Sequence, residues 1–337
     1  MPLRRRGLPF VVIAILGLTV LAAGACRPDR SDGRSSAKPL RIAVIPIGTT
    51  HEFWKSVHAG ALAAARELGV EIIWKGPLKE DDRNEQIQIV ETLAGSGVDA
   101  LVLSPLDDRA LVRPVAEARR EGIPTVIFNS ALQGEEHAAF IATDNFVGGT
   151  LAAREIGRRI GGRGRLIMIR LMVGVEGTTK REEGFLATLR AEYPGIEIVS
   201  ENQYAGPSTE TAYQTMENLL ARFGPVDAVF TPNESTTFGA LRALQDHGLA
   251  GRIVHVGFDS SEKLIEALSQ GELAGLVLQD PVAMGYRSVK TAVAVVRGEP
   301  YAKTESTAVV MAVRDNMNEP AIARLLRPDL SVLEKDR

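Results

Sequence analysis

The sequence is poor in the residues that carry most metal and thiol chemistry. It has a single cysteine, Cys26, and five histidines that are scattered along the chain. One cysteine excludes an internal disulfide and leaves no second thiol for a metal site. His51 and Glu52 begin like a zinc-protease helix, but Lys55 stands where the second histidine is needed. We therefore expect no bound metal and no cofactor.

Motifs for nucleotide binding and nucleophilic catalysis are also missing. The glycine-rich stretch at 161–164 precedes a predicted strand, which is the wrong order for a phosphate loop or a dinucleotide turn. No Gly-x-Ser-x-Gly elbow occurs. The net charge of −3 gives no reason to expect nucleic acid or an anionic membrane surface as a partner. These absences predict a protein that is not an enzyme and does not bind nucleic acid.

The N-terminal region differs from the rest of the chain. Arg4–Arg6 form a positive head, and Leu8–Ala23 is an uncharged, mainly apolar run. This pattern predicts a signal peptide over 1–25. The small residues before Cys26 resemble a bacterial lipobox, which implies cleavage there and a lipid on its sulfur; ordinary signal-peptidase cleavage and an uncleaved anchor helix are the alternatives. The polar segment 26–39 is predicted to be a flexible, lipidated tether.

One strand–helix–strand unit occurs twice, in Val98–Ala131 and Pro225–Ser261. Both copies contain Val-Asp-Ala before an apolar strand. They end in Phe128-Asn129-Ser130 and Phe258-Asp259-Ser260. Strands and helices alternate elsewhere, which predicts parallel sheets with helical crossovers, and 337 residues suit two domains better than one. We predict an α/β protein with two Rossmann-like parallel-sheet lobes, and the chain crossing between them more than once.

Individual elements follow from apolar periodicity and from glycine and proline stops. Helices are predicted over Phe53–Leu68, Glu80–Ser96, Glu176–Glu192 and Pro281–Arg297. Beyond the last of these helices the chain becomes less regular, with strand character at Thr307–Val313.

Polar and aromatic side chains gather at the predicted carboxyl ends of strands from both halves of the chain. Ligands bind at that edge of open parallel sheets. Carboxylates and amides bind hydroxyls, arginine donates in a planar fork, and aromatic rings cover the apolar face of a sugar. The predicted ligand-binding set is His51, Phe53, Trp54, Asn129, Ser130, Arg181, Asn233, Asp259 and Gln279.

The same side chains have purely structural alternatives. Asn129, Asn233 and Asp259 could each cap the helix that follows. Arg181 could form a surface ion pair with an acidic neighbour. The aromatic pair at 53–54 could pack in a core.

Motifs spread over Leu40–Val313 resemble the periplasmic sugar-binding proteins of ABC transporters, in the ribose-binding branch. That branch shares its fold with the effector domains of the lactose-repressor family. The motifs keep the order and the approximate spacing of that family. They include Phe53-Trp54-Lys55-Ser56, Ala142-Thr143-Asp144-Asn145, Arg181-Glu182-Glu183-Gly184-Phe185, Val256-Gly257-Phe258-Asp259 and Gln279-Asp280-Pro281.

The resemblance implies the type I periplasmic binding protein fold, with two lobes joined by a multi-strand hinge. Its N-terminal lobe would comprise 40–143 plus 280–308. Its C-terminal lobe would comprise 144–279 plus 309–320, followed by a tail at 321–337. The implied function is that of a monomeric substrate-binding lipoprotein of an ABC importer, which lies in the periplasm or on the outer face of the cell membrane and delivers its ligand to a permease. A periplasmic sensor that signals to a chemoreceptor or membrane kinase is the alternative.

The resemblance also implies roles for single residues. Phe53 and Trp54 would sandwich the ligand, and His51 would make a polar contact. Four residues would bind the ligand hydroxyls from the C-terminal lobe and hinge: Arg181, Asn233, Asp259 and Gln279.

Two positions depart from the family pattern. Asn129 and Ser130 stand where the family has an Asp-Arg pair, and Pro207 stands where an aromatic residue is common. The sequence therefore predicts a small polyhydroxyl ligand, a monosaccharide or polyol, without specifying which one.

Overall fold

A computed structural model describes residues 38–334 of the chain. The predicted signal peptide, the lipidation of Cys26, most of the tether and the last residues of the tail lie outside the described residues. Within residues 38–334, no helix is long and apolar enough to cross a membrane. The same part of the chain contains no group of three or more His, Cys, Asp or Glu side chains arranged to hold a metal ion.

The strands are short, and most are apolar runs with buried side chains, as expected for sheets covered on both faces. In chain order they are β1 (Arg41–Ile45), β2 (Glu71–Trp74), β3 (Ala100–Leu103), β4 (Thr125–Phe128), β5 (Ala139–Thr143), β6 (Arg163–Arg170), β7 (Gly195–Tyr204), β8 (Ala228–Phe230), β9 (Val254–Phe258), β10 (Gly275–Gln279), β11 (Thr304–Thr307) and β12 (Val309–Ala312).

Helices separate most of these strands along the chain. They are α1 (Glu52–Leu68), α2 (Arg83–Ala94), α3 (Val112–Arg120), α4 (Asn145–Arg159), α5 (Glu176–Glu192), α6 (Thr209–Phe223), α7 (Glu234–Asp246), α8 (Glu262–Gln270), α9 (Pro281–Arg297), α10 (Pro320–Leu326) and α11 (Ser331–Glu334).

The strands form two six-stranded sheets with equivalent topology. The first has the order β2-β1-β3-β4-β5-β11, and the second has the order β7-β6-β8-β9-β10-β12. Every neighbouring pair is parallel except β10 and β12, which are antiparallel. Sheets of this order bind ligands beyond the carboxyl ends of their central strands. The predicted two-sheet α/β fold is confirmed.

Helices cover both faces of each sheet, so each sheet has its own hydrophobic core. The apolar sides of α1 and α9 pack on one face of the first sheet, and those of α2 and α3 pack on the other. The second sheet is enclosed by α4 and α5 on one face and by α6, α7, α8 and α10 on the other. We call the first sheet with its helices lobe 1 and the second sheet with its helices lobe 2.

The chain passes between the sheets at three strand ends. It leaves β5 for α4 at Asp144, leaves β10 for α9 at Asp280, and passes from β11 to β12 at Ala308. Both aspartates cap the helix that follows, since each side chain accepts a hydrogen bond from a first-turn backbone N–H.

The repeated unit of the sequence is repeated in the backbone. It forms β3–α3–β4 in lobe 1 and β8–α7–β9 in lobe 2. Each copy ends in a residue with left-handed backbone, Asn129 at φ 63° and Asp259 at φ 66°, and these are the non-glycine residues with positive φ in the described part of the chain. Asn and Asp tolerate this conformation better than most residues. Both side chains therefore leave their strands with the same backbone geometry.

The start of one predicted helix is wrong. The predicted helix over Glu80–Ser96 begins only at Arg83, because the Asp82 side chain caps it by accepting from the backbone N–H of Glu85. Glu80 is therefore a loop residue. The segment predicted as a tail, 321–337, contains most of α10, which packs on lobe 2, and α11, which contacts α1 of lobe 1.

Candidate functional site: a cavity between the two lobes

A cavity lies between the lobes at the carboxyl ends of their strands. It encloses about 510 Å³ of space free of protein atoms, including the space open to solvent at its mouth. Lobe 1 lines it with Ile47, His51, Phe53, Trp54, Glu80 and Asn129. Lobe 2 lines it with Leu171, Met172, Val175, Gly177, Thr178, Arg181, Asn233, Glu234, Asp259 and Gln279. All the predicted ligand-binding residues except Ser130 are among them.

The lobe-2 wall is centred on Arg181, which is only 3% exposed. Its Nε donates to Asn145 Oδ1 and its Nη1 donates to the backbone oxygen of Pro232, both at 2.8 Å. The guanidinium lies over the ring of Phe258, 4.5 Å from the centroid. Since guanidinium has five N–H donors, donors remain for a ligand. The surface ion-pair alternative for Arg181 is therefore wrong.

Asp259 and Gln279 continue this wall. The Gln279 amide nitrogen donates to Asp259 Oδ1 at 2.7 Å, and Asp259 Oδ2 lies 3.9 Å from Arg181 Nη1. Burial raises the pKa of Asp259, while the Arg181 guanidinium and the Gln279 amide oppose that rise. Gln279 Oε1 is buried and accepts no hydrogen bond within residues 38–334. A buried acceptor of this kind is usually satisfied by water or ligand.

Asn233 lies at the N-terminus of α7, next to Asp259. Its side chain caps the helix by accepting from the backbone N–H of Thr236, and its amide donates to Ser235 Oγ at 3.0 Å. The cap alternative therefore holds for Asn233, which also lines the cavity. It is wrong for Asn129 and Asp259: α8 is capped by Ser261, and the chain after Asn129 leads to β5.

The lobe-1 wall carries the aromatic rings. Phe53 and Trp54 meet edge to face with ring centroids 4.9 Å apart. Trp54 belongs to the lobe-1 core and also lines the cavity, so core packing and a place in the cavity both apply to it. Its indole Nε1 donates to Glu80 Oε1. The ring is thus fixed by packing on one side and by a carboxylate on the other.

His51 and Glu80 form a charged pair at the lobe-1 wall. His51 Nδ1 lies 2.8 Å from Glu80 Oε1. Burial alone would lower the pKa of His51, but the hydrogen bond and the charge of Glu80, with smaller effects of Glu234 and Asp259, raise it to about 9. At neutral pH the imidazole is therefore protonated and faces the Glu80 carboxylate.

Asn129 and Ser130 make different contacts from each other. The Asn129 amide donates to Ser104 Oγ at 3.1 Å, and the residue lines the cavity. Ser130 is fully buried, and its Oγ accepts from the backbone N–H of Gly177 in lobe 2 at 3.2 Å. The structure therefore engages Ser130 in contact between the lobes, and the prediction that it binds ligand stays untested.

Further hydrogen bonds join the rims of the lobes. Glu234 Oε2 of lobe 2 accepts from the backbone N–H of Phe53 at the start of α1, 3.3 Å away. That helix end has no side-chain cap of its own, since His51 stands at the cap position without capping. Glu176 of lobe 2 likewise accepts from the backbone N–H of Ala131 at 3.1 Å. Carboxylates of lobe 2 thus bind backbone donors of lobe 1.

Sequence reasoning missed Glu80 and the contact of Glu234 with lobe 1. The sequence predicts a helix at Glu80, and nothing in its neighbourhood marks it as a cavity residue. Glu234 adjoins Asn233 at a strand end, but its partner Phe53 lies far away in the chain. A contact of this kind leaves no local pattern.

The chain matches the family model described as periplasmic binding protein domain over residues 42–300, and it belongs to that family. Among curated relatives, the xylitol-binding protein of Mycolicibacterium smegmatis is 28% identical over 91% of this chain and 86% of its own. The ribose import binding protein of Escherichia coli is 29% identical over 77% of this chain and 85% of its own.

Solved structures show the same architecture. The periplasmic component of an ABC-type sugar transport system from Hahella chejuensis is 36% identical, with a TM-score of 0.78, over 80% of this chain and 99% of its own. A carbohydrate transporter solute-binding protein from Agrobacterium radiobacter, in complex with D-arabinose, is 32% identical, with a TM-score of 0.83, over 86% of this chain and 99% of its own. The predicted family resemblance is confirmed.

Proposed function

We propose that the protein is the substrate-binding component of an ABC importer and captures a monosaccharide or related polyol between its two lobes. The observation that carries this proposal is the buried group Arg181, Asp259 and Gln279, which faces a cavity also lined by Phe53 and Trp54. Hydrogen-bonding groups beside aromatic rings suit a ligand with hydroxyls at its edges and C–H groups on its faces. Relatives named for ribose and xylitol, and one solved with arabinose, support this ligand class.

Within this proposal the two walls have separate roles. Phe53 and Trp54 cover the faces of the ligand. Arg181 donates to its hydroxyls, and Asp259 and Gln279 Oε1 accept from them. The remaining predicted contacts come from His51, Asn129 and Asn233 at the edges of the cavity.

Capture would proceed by hinge closure. Closing brings Ser130 to Gly177 and Glu234 to the start of α1, the contacts described above. We assign Ser130 to this closure rather than to the ligand. We expect the ligand to be bound and released without turnover.

The proposal also includes where the protein lies in the cell and which partner it serves. Lipidation at Cys26 would hold the protein on the outer face of the cell membrane or in the periplasm, as a monomer within reach of the permease. The lobes would comprise 40–143 plus 280–308 and 144–279 plus 309–320. A tether at 26–39 would link them to the lipid.

Isothermal titration of the purified protein against D-ribose, D-arabinose, D-fucose, D-tagatose and xylitol tests the proposal. We expect one-to-one binding of at least one of them and recovery of the ligand unchanged. A folded protein that binds none of these or a wider panel of monosaccharides and polyols would contradict it.

A further inference from the structure

Glu80 is a carboxylate that the fold holds in the cavity from an irregular loop. It lies between β2 and α2 and is 7% exposed. The loop is tied to the β1–α1 connection by Thr49, whose hydroxyl donates to the backbone oxygen of Pro77 at 3.3 Å. A Cβ at Gly48 would lie 2.6 Å from Glu80 Cγ, so the glycine leaves the space that this side chain fills.

The two oxygens of Glu80 have different surroundings. Oε1 accepts from both the Trp54 indole and His51 Nδ1. Within residues 38–334, no hydrogen bond reaches Oε2, and the residue lines the cavity. A carboxylate accepts at both oxygens. One oxygen therefore fixes the side chain, and the other is left for a donor in the cavity.

The charges around Glu80 also support a role in binding a ligand donor. The protonated imidazole of His51 neighbours Glu80 and offsets the cost of burying its carboxylate. The nearby Asn129 amide is engaged with Ser104. Among the lobe-1 residues that line the cavity, Glu80 is the one carboxylate, so it is the strongest acceptor that this wall presents.

A purely structural role for Glu80 would not explain why its two oxygens are used unequally. Orienting Trp54 and His51 requires only Oε1, and a glutamine could supply that acceptor. It would not require the second oxygen of this cavity-lining residue to remain without a donor. The unequal use of the two oxygens points to a ligand group.

We propose that Glu80 is a specificity-determining ligand contact, whose Oε2 accepts a hydrogen bond from a ligand hydroxyl on the lobe-1 side. The cavity then favours neutral polyhydroxyl ligands and rejects a sugar acid that places its carboxylate against Glu80. The inference rests on the proposed sugar-binding function and adds a residue that pairs with one particular hydroxyl.

The first test compares Glu80→Gln with the matched control Asp81→Asn, which changes an exposed neighbouring carboxylate of the same loop. Titrations use the tightest-binding sugar of the panel above. We expect Glu80→Gln to weaken binding at least about tenfold, as for the loss of a hydrogen bond to a charged acceptor, and Asp81→Asn to bind like wild type. Equal affinity of Glu80→Gln and wild type would overturn the inference.

The second test separates a ligand contact from a positioning role. Each monodeoxy derivative of that sugar is titrated against wild type and Glu80→Gln. Removal of the hydroxyl that contacts Glu80 should weaken binding to wild type and have little effect on binding to Glu80→Gln, a coupling that only a direct contact gives. Equal losses in both proteins for every derivative would show that Glu80 acts only through Trp54 and His51.

Folding of the variant is checked in a Trp74→Phe background, where Trp54 is the remaining tryptophan. If Glu80→Gln shifts the Trp54 emission, the same cycle is run with Glu80→Asp, which keeps the charge.

If wild type binds no sugar, both the proposed function and the role of Glu80 are wrong. If wild type binds but no coupling is found, only the role of Glu80 is wrong.

Discussion

The two copies of the repeated unit share their framework and differ where they meet the cavity. In each copy the aspartate of Val-Asp-Ala accepts from a backbone N–H of the neighbouring strand at 2.7 Å: Asp99 from Arg41 of β1, and Asp227 from Arg165 of β6. Each copy ends in a left-handed residue. However, Asp259 joins Arg181 and Gln279, whereas Asn129 binds Ser104.

The two copies therefore show that backbone geometry and binding chemistry are specified separately. Lobe 2 uses its copy to build a buried group of Arg181, Asp259 and Gln279 that keeps free donors and an unpaired acceptor for a ligand. Lobe 1 contributes aromatic rings and obtains its carboxylate from Glu80, outside the repeated unit. We therefore expect substitutions at the two strand ends to have unequal effects.

The largest effect is expected for Asp259→Ala. It leaves the Arg181 guanidinium buried without its carboxylate, which should cost about 3–5 kcal/mol of unfolding free energy. Affinity for the ligand should also fall by about 1.5–3 kcal/mol. Urea unfolding and calorimetric titration measure the two losses. Asn129→Ala is the control in the other copy, and an equal loss of stability there would contradict the comparison.

The next effect concerns acid stability. His255 of lobe 2 occupies the position held by Thr125 in lobe 1, and burial lowers its pKa to about 3. The unfolded state takes up a proton near pH 6.5 and the folded state does not. The contribution of His255 to the free energy of unfolding should therefore fall by about 1.4 kcal/mol per pH unit as the pH drops below 6.5 towards 3.

His255→Gln tests this slope, because glutamine can replace the hydrogen bond with Thr231 without titrating. Urea unfolding between pH 7 and pH 4.5 gives the slope of the unfolding free energy against pH. In the variant this slope should be smaller than in wild type, by the amount that corresponds to the uptake of about one proton on unfolding. Identical slopes would mean that His255 does not remain neutral in the folded protein.

Arg181→Ala should lower ligand affinity by about 1.5–3 kcal/mol, the range for a hydrogen bond to a charged group. The double variant Arg181→Ala, Asp259→Ala removes both charges, so we expect its loss of stability to be smaller than the sum of the single losses. Calorimetric titration and urea unfolding of wild type, the two single variants and the double variant complete this double-mutant cycle. Additive losses would show that the pair is not coupled.

The smallest effect is expected for Glu234→Ala. The variant loses the carboxylate that binds the uncapped start of α1 across the lobes, so closure should weaken by about 1 kcal/mol, as for a lost helix cap. Titration should show a few-fold weaker binding, and small-angle scattering of the sugar-saturated protein should show a larger radius. Glu262→Ala, in the first turn of α8, is the control. Binding and scattering like wild type would contradict the role of Glu234 in closure.

Much of this organisation could be predicted from local sequence. The alternation of strands and helices, the repeated unit and the polar strand ends led to the two sheets and to the position of Arg181, Asp259 and Gln279. The alternation of strands and helices can be recognised from apolar residues, which are numerous and recur at regular intervals. The strand-end residues could be found because parallel topology brings carboxyl ends to one edge.

The remainder depends on contacts between distant parts of the chain. Glu80 follows a proline-containing loop without periodicity, and its helix assignment failed because Asp82 is the cap. The contacts of Ser130 with Gly177 and of Glu234 with α1 exist only when the lobes face each other. Neither leaves a spacing or composition signal.

A crystal structure of the protein with its tightest-binding sugar would show whether the cavity between the lobes is the sugar site. We predict one sugar between the lobes, with its face against Phe53 and Trp54 and its hydroxyls bonded to Arg181, Asp259 and Gln279. A sugar bound outside the cavity, or inside it without contact to that buried group, would contradict the account.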